Sequence, residues 1–385
     1  MGHRMSTLVH SVRILGSSAV HPAADSAEGW ALFDGGRITA LGSGRGRPQA
    51  RDIIDGEGGC LVPGFVDIHG HGGGGAAYDD GPDAIRIARA LHREHGTTRA
   101  VISLVTASID VLAARAAMVA DLAEVDGTIL GSHLEGPFLD PGHKGAHNEA
   151  LLRTPDAASV DRLIEAGRGT IRQVTLAPEL PGAEEAIRRF TGTGVTVAVG
   201  HTDADAATAR RAFDAGATML THAFNAMPGI HHRAPGPVVA ALRDDRVTLE
   251  VIADGVHVDI DLIATMFAAA GNRIALVTDA MAAAGSHLDG RYELGSLGVI
   301  VTDGVARLEI GDSIAGSTLT QDAALRRVVD AGVPLAAAVA AVTSVPARAI
   351  GRPDLGRLDL GGVADAVLLD PLLRVRSVWI EGVTA

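Results

Sequence analysis

Cysteine and lysine are almost missing from this 385-residue chain, which holds one cysteine, Cys60, and one lysine, Lys144, among 33 basic side chains. A lone cysteine excludes an intrachain disulfide and fits a reducing compartment such as the cytoplasm, with Cys60 read as a small buried hydrophobe. Long apolar runs are missing too. None approaches the roughly 18 residues needed to cross a bilayer, so no membrane partner is expected. The N-terminal residues lack a basic-then-apolar-then-cleavage pattern, so secretion is not expected either. Basic clusters interleaved with aromatics are absent, and the formal charge is −13. That balance excludes nucleic acid as a partner, because binding a phosphate backbone needs a basic surface. A small anion remains open, since a few local donors suffice for one. No Gly-x-Gly-x-x-Gly turn joins a first strand to a helix, which disfavours an open doubly wound sheet.

What the chain does hold is core material, with 47% apolar residues. It also shows a regular alternation of short β-type runs and helical stretches. Strands are expected over 65–71, 99–106, 128–134, 171–177, 195–201, 218–224, 248–254 and 273–279. Helices are expected over 83–95, 110–124, 184–193, 204–215 and 258–270. Thr154-Pro155-Asp156 reads as a further helix start, a capping hydroxyl followed by proline at the first helical position. Strands alternating with helices indicate a parallel sheet, and eight such units match a (β/α)8 barrel. The α/β class follows, with a TIM-like catalytic barrel over 64–351. Residues 1–63 and 352–385 have a different texture, short β-like pieces with Gly-rich turns, among them Asp34-Gly35-Gly36 as a hairpin turn. Neither end can bury a face alone, so the two are expected to form one small β-sandwich interrupted by the barrel.

The chemistry starts at Phe65-Val66-Asp67-Ile68-His69-Gly70-His71, followed by Gly72 to Gly75. In a strand, alternate residues share a face, so His69 and His71 would stand side by side beside a flexible loop. Neutral imidazole is the commonest protein metal ligand. Alone, the pair suits solvated loop histidines equally well. The remaining expected strands settle the balance, because they end on Glu135, His201, His222, Asp254 with His257, and Asp279. Barrel active sites are built from strand C-termini, and so many ligand-type residues on one face point to a divalent metal.

These residues carry a resemblance that runs nearly the whole length. The segments are Pro-Gly-Phe-Val-Asp-Ile-His-Gly-His-Gly from 63, His-Leu-Glu-Gly-Pro-Phe from 133, Lys-Gly-Ala-His from 144, Gly-His-Thr from 200 and Thr-His-Ala-Phe-Asn-Ala-Met from 221. They continue with His-His-Arg-Ala-Pro-Gly from 231, Ala-Asp-Gly-Val-His from 253 and Val-Thr-Asp-Ala-Met from 277. Together they resemble the amidohydrolase superfamily, and within it the N-acetylglucosamine-6-phosphate deacetylases.

The resemblance implies that Glu135, His201 and His222 hold the metal common to the family. It permits a second ion at His69 and His71 with Glu135 shared, so one or two per subunit, zinc foremost and iron, cobalt or manganese allowed. Asp279, a further ligand, would take a proton from the attacking water and deliver it to the departing amine. His257 would face the carbonyl oxygen, which becomes negative during amide hydrolysis. Ala146, His147, Asn225, Ala226 and Met281 would contact the amino-sugar phosphate. Arg233 would reach the phosphate in the neighbouring active site, implying a homodimer. Family members that bridge two metals with a carboxylated lysine at the fourth strand are a poor match, because the only lysine lies in the loop after Glu135. Action on a different N-acyl sugar phosphate, a cyclic amide or a nucleobase is the alternative. A binding homologue without catalysis would be expected to lack a ligand or the proton shuttle, and none is missing.

Overall fold

The computed structural model describes residues 6–17, 28–285, 289–311 and 313–385. Residues 1–5 and 18–27 of the expected N-terminal segment lie outside that range.

Eight parallel strands build the central sheet, labelled here β1 (Phe65–Asp67), β2 (Thr97–Val105), β3 (Ile129–Glu135), β4 (Ile171–Leu176), β5 (Thr196–Val199), β6 (Met219–Leu220), β7 (Thr248–Ile252) and β8 (Ile274–Val277). Each pairs with its sequence neighbour, from β1 through to β8. Helices cover the outer face, so β2 and β3 are buried at every position, as parallel strands covered on both sides must be. Side-chain caps start several of these helices: Ser108 accepts from Val111 N, Asp205 from Thr208 N and Asp259 from Asp261 N.

Seven of the eight expected strands run too long at their C-terminal ends, and only β3 extends past its expected end, to Glu135. β1 stops at Asp67, so His69 and His71 stand in the loop beyond it instead of on a strand face. The cause is a change of hydrogen-bond partner. Beyond Asp67 the chain keeps β2 only through Gly70, whose O accepts from Ser103 N at 3.2 Å, and turns to the other edge of the sheet, where His69 O accepts from Asp279 N at 2.8 Å and His71 N donates to Ala280 O at 2.7 Å. Thr278 Oγ1 donates to Asp67 Oδ2 at 2.6 Å across the same gap. No β-ladder joins β1 to β8, and these bonds close the ring there. The helix start also differs from expectation. The helix is Ala157–Gly167 and its cap is Asp156, whose carboxylate accepts from Ser159 N at 2.9 Å. Thr154 and Pro155 precede it.

The terminal segments meet in one eight-stranded mixed sheet. Strand Ser6–Ile14 pairs antiparallel with Gly29–Asp34 and parallel with both Asp52–Asp55 and Cys60–Pro63, and the last of these carries Ala366–Leu369 on its other edge. Asp34 and Arg37 face each other across Gly35 and Gly36, both at positive φ, the backbone of a two-residue hairpin turn. Val9, Phe33 and Ile38 from one end of the chain and Leu368 and Trp379 from the other share a core, with the rings of Phe33 and Trp379 edge-on at 5.8 Å. Arg99 of β2 ties this layer to the barrel through Asp365, at 2.6 Å and buried.

A small three-stranded antiparallel sheet follows β8, over Gly290–Leu294, Leu297–Thr302 and Val305–Leu308. The alternation pattern did not anticipate it. Its apolar face packs on Val105, Ala146, Met281 and Ala283, at the rim of the barrel's C-terminal mouth.

Candidate metal centre and active site

Every ligand-type residue singled out above converges at that mouth. Glu135 ends β3 and stands at the centre. Its Oε1 lies 3.3 Å from His69 Nε2 and 3.2 Å from both His201 Nε2 and His222 Nε2. Its Oε2 lies 3.0 Å from His71 Nε2 and 3.4 Å from His147 Nε2. Asp279 Oδ1 closes the ring at 3.6 Å from His69 Nε2 and 3.5 Å from His71 Nε2. The Nε2 atoms of His201 and His222 are 3.0 Å apart. All these side chains are buried or nearly so.

Local backbone supports the convergence. His201, His222 and Asp279 adopt φ values of +48°, +22° and +46°, a region non-glycine residues rarely occupy and one found where a site needs side chains turned inward. The loop after His71 is stitched to the segment beyond β8 by Gly74 N to Ala284 O and Gly75 N to Ala282 O. Buried His92 donates to Gly72 O at 2.8 Å, and a Cβ on Gly73 would come within 2.9 Å of that ring, so the approach needs glycine.

The electrostatics describe a cluster that attracts positive charge. Burial alone would raise Glu135, yet His69 and the hydrogen bonds from His147, His201 and His222 hold it well below the usual carboxylate range. Burial alone would depress His69, yet Glu135, Glu250 and Asp279 outweigh it and hold the ring well above an ordinary histidine. His71 is raised in the same way, against its burial, by Glu135. A divalent ion binds such a cluster by displacing the protons that charge would otherwise draw in.

The donor set fits that ion. His69, His71 and Asp279 form one group, and Glu135, His147 and His201 a second, each with its ligand atoms within 4.8 Å of one another. His222 adjoins the second group through Glu135. His147, expected to contact the sugar, therefore also stands at ligand distance. Buried His69 Nε2 has no hydrogen-bond partner among the described residues and faces two carboxylates, an arrangement that a cation resolves.

A cavity of about 350 Å³ opens above this floor. Ala146, Asn225 and Ala226 line it, as does His257. His257 Nδ1 lies 2.6 Å from Asp254 Oδ2. Against its burial, that carboxylate raises the ring's pKa. Asn225 donates to His222 O at 3.2 Å, and Ala226 turns at φ +50°. Two expected substrate contacts stand elsewhere. Met281 is fully buried behind Gly316 and does not reach the cavity wall. Arg233 is exposed on the loop after Met227 and lies outside this cavity, beside the exposed His231 and His232. His143 had no role assigned from sequence; its carbonyl oxygen accepts from His201 Nδ1 at 2.9 Å.

A buried polar layer beneath the ligands was not anticipated. Glu250 of β7 accepts from His69 Nδ1 at 2.9 Å and from Gln173 Nε2 at 2.7 Å. His133 bridges Ser103 Oγ at 2.9 Å and Thr175 Oγ1 at 2.8 Å, and burial depresses its pKa strongly. A usable signal existed. Each of these residues interrupts an apolar strand, and a polar group buried there is costly unless it is paired.

The sequence profile of the amidohydrolase family matches residues 60–384. An N-acetylgalactosamine-6-phosphate deacetylase from Escherichia coli O157:H7 is 42% identical over 329 residues, 84% of this chain and 86% of that protein. An N-acetylglucosamine-6-phosphate deacetylase from Bos taurus is 37% identical over 84% of this chain and 83% of its own. A solved N-acetyl-D-glucosamine-6-phosphate deacetylase mutant from Mycobacterium smegmatis, in complex with N-acetyl-D-glucosamine-6-phosphate, superposes with a TM-score of 0.92 at 42% identity, covering 100% of this chain and 99% of that one. With the barrel, the inward-turned ligands and these relatives in view, the chain belongs to the amidohydrolase family, alongside its amino-sugar-phosphate deacetylases.

Proposed function

We propose that the protein hydrolyses N-acetylglucosamine-6-phosphate to glucosamine-6-phosphate and acetate, as a cytoplasmic homodimer carrying one or two zinc ions per subunit. The observation that carries this reading is the joint placement of Glu135, His71, His201, His222 and Asp279 on the floor of one cavity, with His69 buried directly behind Glu135 and Asp279. Relatives of matching length act on such substrates by name, which supports the substrate class. Mixed histidine and carboxylate ligation suits zinc and also iron, cobalt or manganese.

A bound divalent ion lowers the pKa of water to about 7, making hydroxide available at neutral pH. The chain's own residues do the rest. Asp279 is fixed by its backbone, N to His69 O and O to Ser317 N, with its carboxylate facing the cavity. From there it takes the water's proton and returns it to the amide nitrogen, which leaves only as an amine. His257, anchored by Asp254, presents its Nε2 to the carbonyl oxygen as that atom gains charge. Asn225 and the Ala226 amide bind the sugar phosphate, Ala146 and His147 flank the sugar, and Arg233 serves the phosphate of the partner subunit's substrate.

The test is an amine-release assay on N-acetylglucosamine with and without its 6-phosphate, with metal analysis of the same sample. Turnover confined to the phosphorylated sugar supports the proposal, and equal turnover of both sugars defeats it. A second reading, preference for N-acetylgalactosamine-6-phosphate, is favoured by the 42% identical Escherichia coli relative. The same assay run with that epimer decides between them.

A further inference from the structure

Among the buried groups that the proposed mechanism leaves unused, Glu250 has the most specific surroundings. It lies at the middle of β7 with no solvent exposure. A carboxylate in such a place requires donors, and three converge on it. Oε2 accepts from His69 Nδ1 at 2.9 Å and from the backbone N of His222 at 3.3 Å. Oε1 accepts from Gln173 Nε2 at 2.7 Å. Because an ionised carboxylate only accepts, the proton of the His69 ring must sit on Nδ1. A metal that displaces the proton from Nε2 then meets a lone pair aimed at the space between Glu135 and Asp279.

The geometry points to Glu250 as a positioning residue of the metal centre. It fixes the tautomer and tilt of the His69 ring, and through His222 N it also fixes where the opposite half of the ligand set begins. Gln173 completes the device by holding the second oxygen. The inference rests on the metal-holding part of the proposed function and adds residues 173 and 250 to it. Carboxylates that brace a ligating imidazole commonly govern affinity by 10–100-fold.

Zinc binding to the metal-free full-length chain, measured by competition with a chromophoric chelator, tests it without any substrate. In Glu250→Gln an amide oxygen can still accept from His69 Nδ1 and His222 N, and Gln173 can turn its free oxygen to accept from the new NH2, so the variant removes the negative charge behind the ring while keeping the bonds. Zinc affinity at the His69–His71 group should weaken by roughly 10–100-fold. Binding at Glu135, His201 and His222 should persist. Zinc affinities all within twofold of wild type would overturn the proposal.

The exchange Glu250→Gln with Gln173→Glu returns a carboxylate to the pair, one hydrogen bond further from the His69 ring, so part of the lost affinity should return. Recovery of the thermal midpoint of the metal-free protein without recovery of affinity would mean a merely structural role, and would also overturn it. A measurement on the unsubstituted protein does not depend on either variant folding. Long-range ¹H–¹⁵N spectra of the zinc-loaded chain should show His69 protonated on Nδ1, and a proton on Nε2 would end the proposal. None of these readouts involves deacetylation, so failure here and failure of the substrate assay are separate results.

Discussion

The two halves of the ligand ring are held by different means. On the His69 side, the ring nitrogen turned away from the cavity meets a carboxylate, Glu250, and the following loop is stitched by backbone bonds to the segment after β8. On the other side, His201 Nδ1 meets a peptide carbonyl, that of His143; one buried Nδ1 in each half, His71 and His222, has no hydrogen-bond partner among the described residues. A carboxylate makes an imidazole a stronger donor to a metal, whereas a carbonyl adds no charge. An ion held at His69 would thus meet a stronger donor, whereas one held at His201 and His222 would stay more electron-demanding, as activation of water and of an amide carbonyl requires.

The sharpest way to break this comparison is to remove each half. Substituting His201 or His222 with alanine should abolish turnover together with the main ion. His69→Ala with His71→Ala should instead lower the metal content toward one per subunit. Metal analysis beside kcat checks both, and complete metal loss from the His69/His71 double variant would show that the halves are assigned in reverse. Chelation of the wild-type protein should abolish activity, with zinc or another first-row divalent ion restoring it.

Asp279 joins the halves functionally. Asparagine is nearly isosteric but neither accepts the water's proton at neutral pH nor delivers it to the amine. Asp279→Asn should fold, keep most of its metal and bind substrate with a near-normal Kd. Its kcat should fall by roughly 10²–10⁴-fold. More than a tenth of the wild-type kcat in this variant would sink the assignment.

The stitched half should also respond to pH. Burial pushes His92 down to about 4, below the roughly 6.5 of an unfolded histidine. The unfolded chain therefore binds an extra proton between those values. His92 costs no stability above about pH 6.5, and its penalty grows on acidification until it is complete near pH 4, at about 3 kcal/mol. His92→Gln, which keeps an N–H for Gly72 O, should flatten that part of the profile in urea melts of the metal-free protein. An unchanged slope would place the acid sensitivity elsewhere.

The smallest effect belongs to the opposite rim. Arg233→Ala should weaken kcat/KM for the phosphorylated sugar by roughly 1.5–3 kcal/mol, the scale of a charge-assisted hydrogen bond, and barely touch the unphosphorylated one. Equal losses would assign Arg233 to the fold or the dimer. Mixing Arg233→Ala with Asp279→Asn subunits should restore activity in hybrid dimers if the residue acts across an interface.

The ligands themselves were legible in the sequence, because each follows an apolar run and strand C-termini share one face of a barrel. The brace beneath them was legible only as isolated polar residues in apolar strands, not as a network. Glu250 falls inside Thr248-Leu249-Glu250-Val251-Ile252, where an alternation reading treats a single polar residue as strand texture, and its partner Gln173 is 77 positions away. The strand face assigned to His69 and His71 was misjudged for a related reason. Local periodicity carries no information about the bonds from Asp279 and to Ala280 that pull this loop off the ladder. Arg233 was legible as a loop cation, but what it would reach lies outside a single chain.

The gap between β1 and β8 governs the order in which this molecule can be completed. Asp67 and Thr278, which meet across it, are 211 positions apart, and contacts so distant in sequence carry a large loop-closure cost until the intervening strands have paired. The same closure brings His69 and His71 to Asp279. Refolding should therefore recover the helices and the β2–β7 sheet before it recovers metal binding at the His69–His71 group, and the appearance of that binding times the last joint in the chain.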